Sequence, residues 1–153
     1  IPFFMSIQDG NELPITDPRM TRFMITLEQS VELVWHAFED MEGGEIYIKK
    51  IPSMLVPEIA KAVAPEAIHK TVGIRPGEKL HEQMIGTEDA PFTYEYPGYY
   101  KILPAINNWS ETAERIKDGK LVAEDFIYAS DKNDDWMCVE ELQSWIDTNR
   151  SKS

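Results

Sequence analysis

The sequence predicts a mixed α/β fold, and three observations carry that expectation. Segments with helical and strand periodicity alternate along the first 85 residues. Gly43-Gly44, Pro65 and Pro76-Gly77 punctuate those segments. Apolar residues make up 42% of a 153-residue chain, enough for one globular domain with a real core. Within that domain, residues 1–90 read as an α/β lobe. Residues 91–153 read as a C-terminal tail with an extended arm and short helices.

The elements follow in order. Ile1-Pro-Phe-Phe-Met-Ser-Ile7 is apolar from its first residue and has no initiator methionine, which predicts a chain cut from a longer one. Asn11 to Pro18 reads as a short extended piece, because each proline disfavours helix in the residue before it. Thr26 with Gln29 forms a capping-box pattern. It opens a helix that puts Leu27, Val31, Val34, Trp35 and Phe38 on one face and ends at Gly43-Gly44. Glu45 to Ile51 alternates with period two and predicts a strand. Ser53 is placed to cap the next helix, whose inward residues are Ile59, Ala62 and Val63. A β-like run, His69 to Ile74, precedes a helical pattern, Lys79 to Ile85. Phe92 to Leu103, rich in tyrosine with a Pro97-Gly98 turn, predicts a hairpin or extended arm. Ser110 to Gly119 reads as polar helix, Ser130 to Asp135 as a turn, and Val139 to Thr148 as a last short helix. The closing Arg-Ser-Lys-Ser is expected to fray.

Composition excludes several classes of function. A formal charge of −12 opposes nonspecific nucleic-acid binding, which needs clustered lysines and arginines. No apolar run reaches the roughly 20 residues of a membrane-spanning helix, and the start lacks the basic region of a signal peptide. Cys138 is the single cysteine, so no internal disulfide or multi-cysteine zinc site is available, and the expected compartment is the reducing cytoplasm. Cys138 reads as a packing residue. His36, His69 and His81 lack paired-ligand spacing. Asp131, Asp134 and Asp135 lack the glycine and terminal glutamate of a calcium loop and read as a capped turn. Trp35, Trp109, Trp136 and Trp145 read as packing residues rather than as stacking platforms for a base.

One short stretch stands out in so acidic a chain: Gly73-Ile-Arg-Pro-Gly-Glu-Lys-Leu-His-Glu82. If it joins a strand to a helix, Arg75 sits at a corner suited to an anion. The alternative is a tight Pro76-Gly77 turn with Arg75 as a solvated charge.

Four segments in register, LPITDPRMTRFMITLEQ, GGEIYIKKIPSM, GIRPGEKLHE and YASDKNDDWMCVEEL, together resemble the C-terminal part of the inverting UDP-N-acetylglucosamine 4,6-dehydratases. These are extended short-chain dehydrogenases/reductases among the polysaccharide biosynthesis proteins, and they open the route to pseudaminic acid. The resemblance spans nearly the whole chain. It implies the α/β lobe that grips the nucleotide-sugar, with UDP-N-acetylglucosamine as the ligand. It further implies that Arg75 and the Arg22 of Met-Thr-Arg-Phe bind the UDP portion, a pyrophosphate being well matched to planar guanidinium forks. Glu78 either accepts a hydrogen bond from a ribose or sugar hydroxyl or is a first-turn helix acid. Lys79 and Arg19 read as surface charges.

Full enzymes of this kind use NADP, held by a glycine-rich first turn of an N-terminal Rossmann half, and a catalytic Tyr-x-x-x-Lys on a helix. No such glycine fingerprint occurs here. The literal Tyr128-Ala-Ser-Asp-Lys132 lies in turn sequence within the tail and is not read as catalytic. The chain alone is therefore expected to bind no cofactor, to contain no catalytic residue and to be inactive. Its expected partners are the missing Rossmann half or another copy of itself. Two alternatives stay open: a related nucleotide-sugar 4-epimerase, and a binding or assembly module without enzymatic activity.

Overall fold

A computed structural model of the chain describes residues 2–6, 12–104 and 113–150. In chain order the first elements are α1 (Pro2–Ser6), β1 (Glu12–Ile15), β2 (Thr21–Phe23), α2 (Leu27–Asp40), β3 (Ile46–Lys49), β4 (Ser53–Leu55), α3 (Val56–Val63) and β5 (Ile68–Thr71). After these come β6 (Gln83–Ile85), a 3-10 turn (Ala90–Phe92), β7 (Thr93–Tyr96) and β8 (Tyr99–Ile102). The last are α4 (Ala113–Ile116), β9 (Lys120–Leu121), β10 (Tyr128–Ala129) and α5 (Val139–Arg150). This is the mixed α/β content that the alternating periodicities predict. Trp109, the start of the 110–119 stretch and the outermost residues at both ends lie outside the described residues. The chain forms two compact units, each discontinuous in sequence. One comprises Ile1–Met24, Pro52–Glu82 and Asn133–Ser153, and the other Ile25–Ile51 and Gln83–Lys132.

In the first unit β1 runs parallel to β5, with Leu13 opposite His69, and β2 runs antiparallel to β4, with Arg22 opposite Met54. Helix α3 turns Val56, Ile59, Ala60, Ala62 and Val63 inward, as its 3.6-residue period predicts. They meet Leu13, Ile15, Met20 and Met54, with Leu142 and Ile146 one helical turn apart on α5. Each fully buried Ile, Leu or Met here contributes about 1.5–3 kcal/mol.

The start of α3 corrects one expectation. Ser53 does not cap it. Ser53 is fully buried in β4, where its amide donates to Asp135 O at 2.9 Å and its hydroxyl accepts from Asn133 Nδ2 at 3.1 Å. The helix begins two residues later from Leu55, with Pro57 fixing φ in its first turn. Cys138, read as packing, is exposed just before α5.

In the second unit α2 opens with the capping box read from the sequence. Gln29 N donates to Thr26 Oγ1 at 3.2 Å, and Thr26 N donates to Gln29 Oε1 at 3.0 Å. The tyrosine-rich stretch is a hairpin. Tyr96 pairs with Tyr99 across a two-residue Pro97-Gly98 loop, and Gly98 supplies the positive φ of 86° that this turn needs. Its strands sit inside a four-stranded antiparallel sheet of order β3-β8-β7-β9. Under the sheet lies a charged cluster: Lys101 Nζ donates to Asp40 Oδ2 at 2.8 Å and to Arg115 O at 2.7 Å. Arg115 in turn pairs with Glu42 at 3.0 Å and Glu45 at 3.3 Å.

The predicted helix over Lys79 to Ile85 does not form, and this is the main correction. Residues 79–82 are an irregular strap along β2, and 83–85 form β6, paired antiparallel with β10. The strap's polar groups are engaged sideways. Leu80 O accepts from Thr21 N at 3.1 Å, His81 Nδ1 meets Thr21 Oγ1 at 2.8 Å, and a Glu82 carboxylate oxygen accepts from Phe23 N at 2.9 Å. Carbonyls used this way are lost to an i to i−4 ladder.

Candidate functional site

The first unit carries a pocket of about 200 Å³ that gathers Arg22, Arg75 and Glu78. Phe4, Met20, Val56 and Val72 give it an apolar wall, and Pro14 and Thr16 close it from the end of β1. The three residues singled out from the sequence, up to 56 positions apart in the chain, thus share one cavity. An apolar wall beside convergent polar groups is the usual composition of a small-molecule site.

Arg75 is presented by a turn. Glu78 N donates to Arg75 O at 3.1 Å, while Arg75 N donates back to Glu78 Oε2 at 3.2 Å, so the carboxylate closes the turn it belongs to. Pro76 presets the first central position, and Gly77, at φ 82°, supplies the left-handed second one, the pattern of a type II turn. Arg75 is exposed, and among the described residues its guanidinium has no hydrogen-bonded or ion-paired partner. With no helix after the turn, no dipole of a following helix assists anion binding at Arg75, and among the described residues the cationic groups of the pocket are the guanidinium groups of Arg75 and Arg22. Glu78, for the same reason, is no first-turn helix acid.

Arg22 lies on β2 and is differently engaged. Nη1 donates to Thr21 O at 2.6 Å and Leu80 O at 3.2 Å, Nη2 to Lys79 O and Met20 Sδ at 3.1 Å each, and Nε lies 3.7 Å from the Glu82 carboxylate. Arg19, read as a surface charge, is 71% exposed and bound through Nε and Nη2 to Asp17, at 3.0 and 2.8 Å. The Arg19 hydrogen bonds hold the Asp17 carboxyl down at about 2.

The second unit has a larger pocket, about 340 Å³, between α2, β3 and the Pro97-Gly98 turn. His36 packs edge-on against Tyr99 there, with ring centroids 4.6 Å apart. Sequence reasoning placed no site here. Among the described residues that line the pocket the cation is Lys49, already paired with Glu32 at 3.2 Å, so it offers an anion less than Arg75 does. The Tyr128 hydroxyl is buried and bonded to the backbone of Ile51, at 2.9 Å from its N and 3.1 Å from its O. Among the described residues no cluster of His, Cys, Asp or Glu is arranged to hold a metal ion, and no helix is long and apolar enough to cross a membrane.

A Rossmann site holds a dinucleotide's pyrophosphate at a glycine-rich turn between a strand and a helix N-terminus. Among the described residues β4 runs straight into α3 through Leu55-Val56-Pro57, without glycine, so this junction does not fit such a site.

Comparison with known proteins agrees with the resemblance read from the four segments. The inverting UDP-N-acetylglucosamine 4,6-dehydratase of Campylobacter jejuni (strain 81-176) is 46% identical over 155 aligned residues, covering 93% of this chain and 45% of that protein. UDP-glucose 4-epimerase of Rickettsia typhi is 40% identical over 108 residues, covering 67% of this chain and 31% of that protein. The X-ray structure of Pen from Bacillus thuringiensis superposes with a TM-score of 0.78 at 25% identity, over 97% of this chain and 45% of that one. The chain therefore spans less than half the length of these relatives. Residues 1–104 match the family described as "Polysaccharide biosynthesis protein", and the chain belongs to that family.

Proposed function

We propose that this chain is the nucleotide-sugar-binding part of an inverting UDP-N-acetylglucosamine 4,6-dehydratase of surface polysaccharide or pseudaminic acid biosynthesis in the cytoplasm. The observation that carries the reading is the convergence of Arg22, Arg75 and Glu78 on one apolar-walled pocket. The 46% identity to the Campylobacter dehydratase supports it. In this reading Arg75 takes the diphosphate. A guanidinium fork matches paired phosphate oxygens, and charge-assisted hydrogen bonds of this kind contribute about 1.5–3 kcal/mol. Glu78, already holding the Arg75 turn, has a second carboxylate oxygen to offer a ribose or sugar hydroxyl. The apolar wall of Phe4, Met20, Val56 and Val72 excludes water from one side of the pocket, which strengthens the Arg75 contact.

The proton and hydride chemistry belongs, in this reading, to an NADP-binding half outside the chain, and the chain alone is inactive. Isothermal titration of the chain with UDP and with ADP tests the binding role. Saturable UDP binding that Arg75→Met weakens about tenfold or more is expected. Absence of UDP binding, or equal loss with Arg19→Met, counts against the assignment.

The 40% identity to the Rickettsia epimerase favours a second reading, a nucleotide-sugar 4-epimerase. Both chemistries begin by oxidising C4 of the sugar. The reaction product of the chain combined with its cofactor-binding half separates them: a 4-keto-6-deoxy sugar for the dehydratase, the C4 epimer for the other.

A further inference from the structure

We propose that the pocket of the second unit is a binding site for a neutral pyranose, a sugar ring not joined to a nucleotide. The proposal does not rest on the nucleotide-binding reading of the first unit's pocket. The cavity, about 340 Å³, falls in the usual range of small-molecule sites, roughly 300–1,000 Å³. It has the volume of about ten waters, enough for one hexose ring. The described residues that line it all belong to the second unit.

The wall is built before any ligand arrives. Lys50 N donates to Gly98 O at 2.9 Å, which ties the Pro97-Gly98 turn to the end of β3. Tyr99 is held by two rings, Tyr96 stacked parallel to it at 4.7 Å and His36 edge-on at 4.6 Å. Leu33 and Pro97 complete an apolar wall. Beside it, the polar groups are not all spent. An ammonium has three N–H donors. Lys49 uses one on Glu32 Oε2 at 3.2 Å and one on Gln29 O at 3.4 Å, which leaves a third. Among the described residues Glu32 Oε1 and the Tyr99 hydroxyl have no hydrogen-bond partner.

Charge selects the ligand. Lys49 and Glu32 cancel, so a lone anion meets the carboxylate and a lone cation meets the ammonium, and each attraction is offset by a repulsion. A wholly apolar ligand would cover the unspent polar groups without bonding them, which costs free energy. A neutral molecule with an apolar face and both donors and acceptors around its edge avoids all three penalties. A pyranose is such a molecule: its ring C–H bonds suit the apolar wall, and its hydroxyls donate to Glu32 and accept from Lys49. The Lys49–Glu32 pair, with Glu32 exposed, contributes little alone, so turning it toward a ligand costs little.

NMR titration of the full chain with methyl β-D-glucopyranoside, which carries neither charge nor phosphate, tests this. Saturable shifts of the Leu33, His36 and Gly98 amide signals are expected, with a millimolar Kd. Tyr99→Phe keeps the ring and deletes only the hydroxyl, and is expected to weaken binding about fivefold; Lys49→Met is expected to weaken it about tenfold. Sodium acetate and tetramethylammonium chloride at the same concentration are expected to leave these signals in place. Arg75→Met, in the first unit, is expected to leave glycoside binding within twofold, whatever UDP does. Absence of saturable shifts overturns the proposal, as does binding that neither Tyr99→Phe nor Lys49→Met weakens. Equal shifts with acetate would make the pocket an anion site, and glycoside binding lost in Arg75→Met would place the sugar with the nucleotide; either result also overturns it. If Lys49→Met does not fold, Tyr99→Phe decides alone.

Discussion

Lys101 and Asp40 form an ion pair shut away from water. Nζ stands 2.8 Å from Oδ2, and the two side chains are 2% and 9% exposed. Burial pushes the Asp40 carboxyl up, but hydrogen bonds from Lys101, Lys117 and Tyr47 outweigh it and hold the group well below the usual carboxylate range. Removing one partner of such a pair strands the other, so Lys101→Met is expected to cost about 3–5 kcal/mol in urea unfolding of the chain.

The same carboxyl sets a pH dependence. Because its folded pKa lies below the ordinary value of 3.8, Asp40 stabilises the fold fully above that value and loses the contribution as pH falls through the depressed folded pKa. Stability measured from pH 6 down to pH 2 is expected to drop below about pH 4, and Asp40→Asn to flatten that drop. An identical acid limb in Asp40→Asn would assign the loss to other groups.

Arg75→Lys keeps the charge and loses the fork. The expected result is a fall in UDP affinity of about tenfold, or 1.4 kcal/mol, with unchanged melting temperature, since Arg75 is exposed and has no partner to lose among the described residues. Arg19→Lys, at a side chain bound among the described residues to Asp17, is expected to leave UDP binding within twofold. Melting of the chain by Arg75→Lys with intact UDP binding would make Arg75 a structural residue.

Much of this was legible in the sequence, for identifiable reasons. The capping box of Thr26 and Gln29, the inward face of Ile59, Ala62 and Val63, and the Pro97-Gly98 hairpin all rest on local rules, and local rules hold where no distant partner competes. The strap at 79–82 and the position of Ser53 were not legible, because each is decided by backbone groups far away in the chain, Thr21 for one and Asp135 with Met137 for the other. The meeting of Arg22 with Arg75 and Glu78 was implied by family resemblance alone. No spacing rule brings residues 22 and 75 to one pocket, and the carbonyls that engage Arg22 leave no signature in side-chain pattern.

Helix α2 turns an apolar stripe outward. Leu27 is 77%, Trp35 64% and Phe38 66% exposed, with Val31 and Val34 between them at helical spacing. A stripe of this size on a free chain favours association. Sedimentation is expected to show concentration-dependent association, and Trp35→Ser with Phe38→Ser to reduce it while changing stability by less than about 0.5 kcal/mol, because neither side chain is in the core. A monomer at all concentrations, with the stripe intact, would remove this expectation.

Gly77 separates the shape of the Arg75 turn from the stability of the fold. Its φ of 82° lies where a side chain is disfavoured, yet a Cβ built there meets nothing within 4 Å. Gly77→Ala therefore carries only the backbone cost of the left-handed conformation, about 1 kcal/mol, and no clash. The turn has two ways to respond: keep its conformation and lose that stability, or relax and move Arg75. Pro76 blocks part of the second route by fixing φ on one side, and the Glu78 carboxylate bonded to Arg75 N resists it on the other. Gly77→Ala is thus expected to lower stability by about 1 kcal/mol and UDP affinity by less than threefold, whereas Glu78→Gln, which weakens the bond to Arg75 N, is expected to lower UDP affinity more than stability. Gly77→Asn, better tolerated at positive φ, is expected to recover most of the stability lost by Gly77→Ala. If Gly77→Ala instead abolishes UDP binding at unchanged stability, the turn relaxes freely, and the rigidity ascribed to Pro76 and Glu78 is wrong.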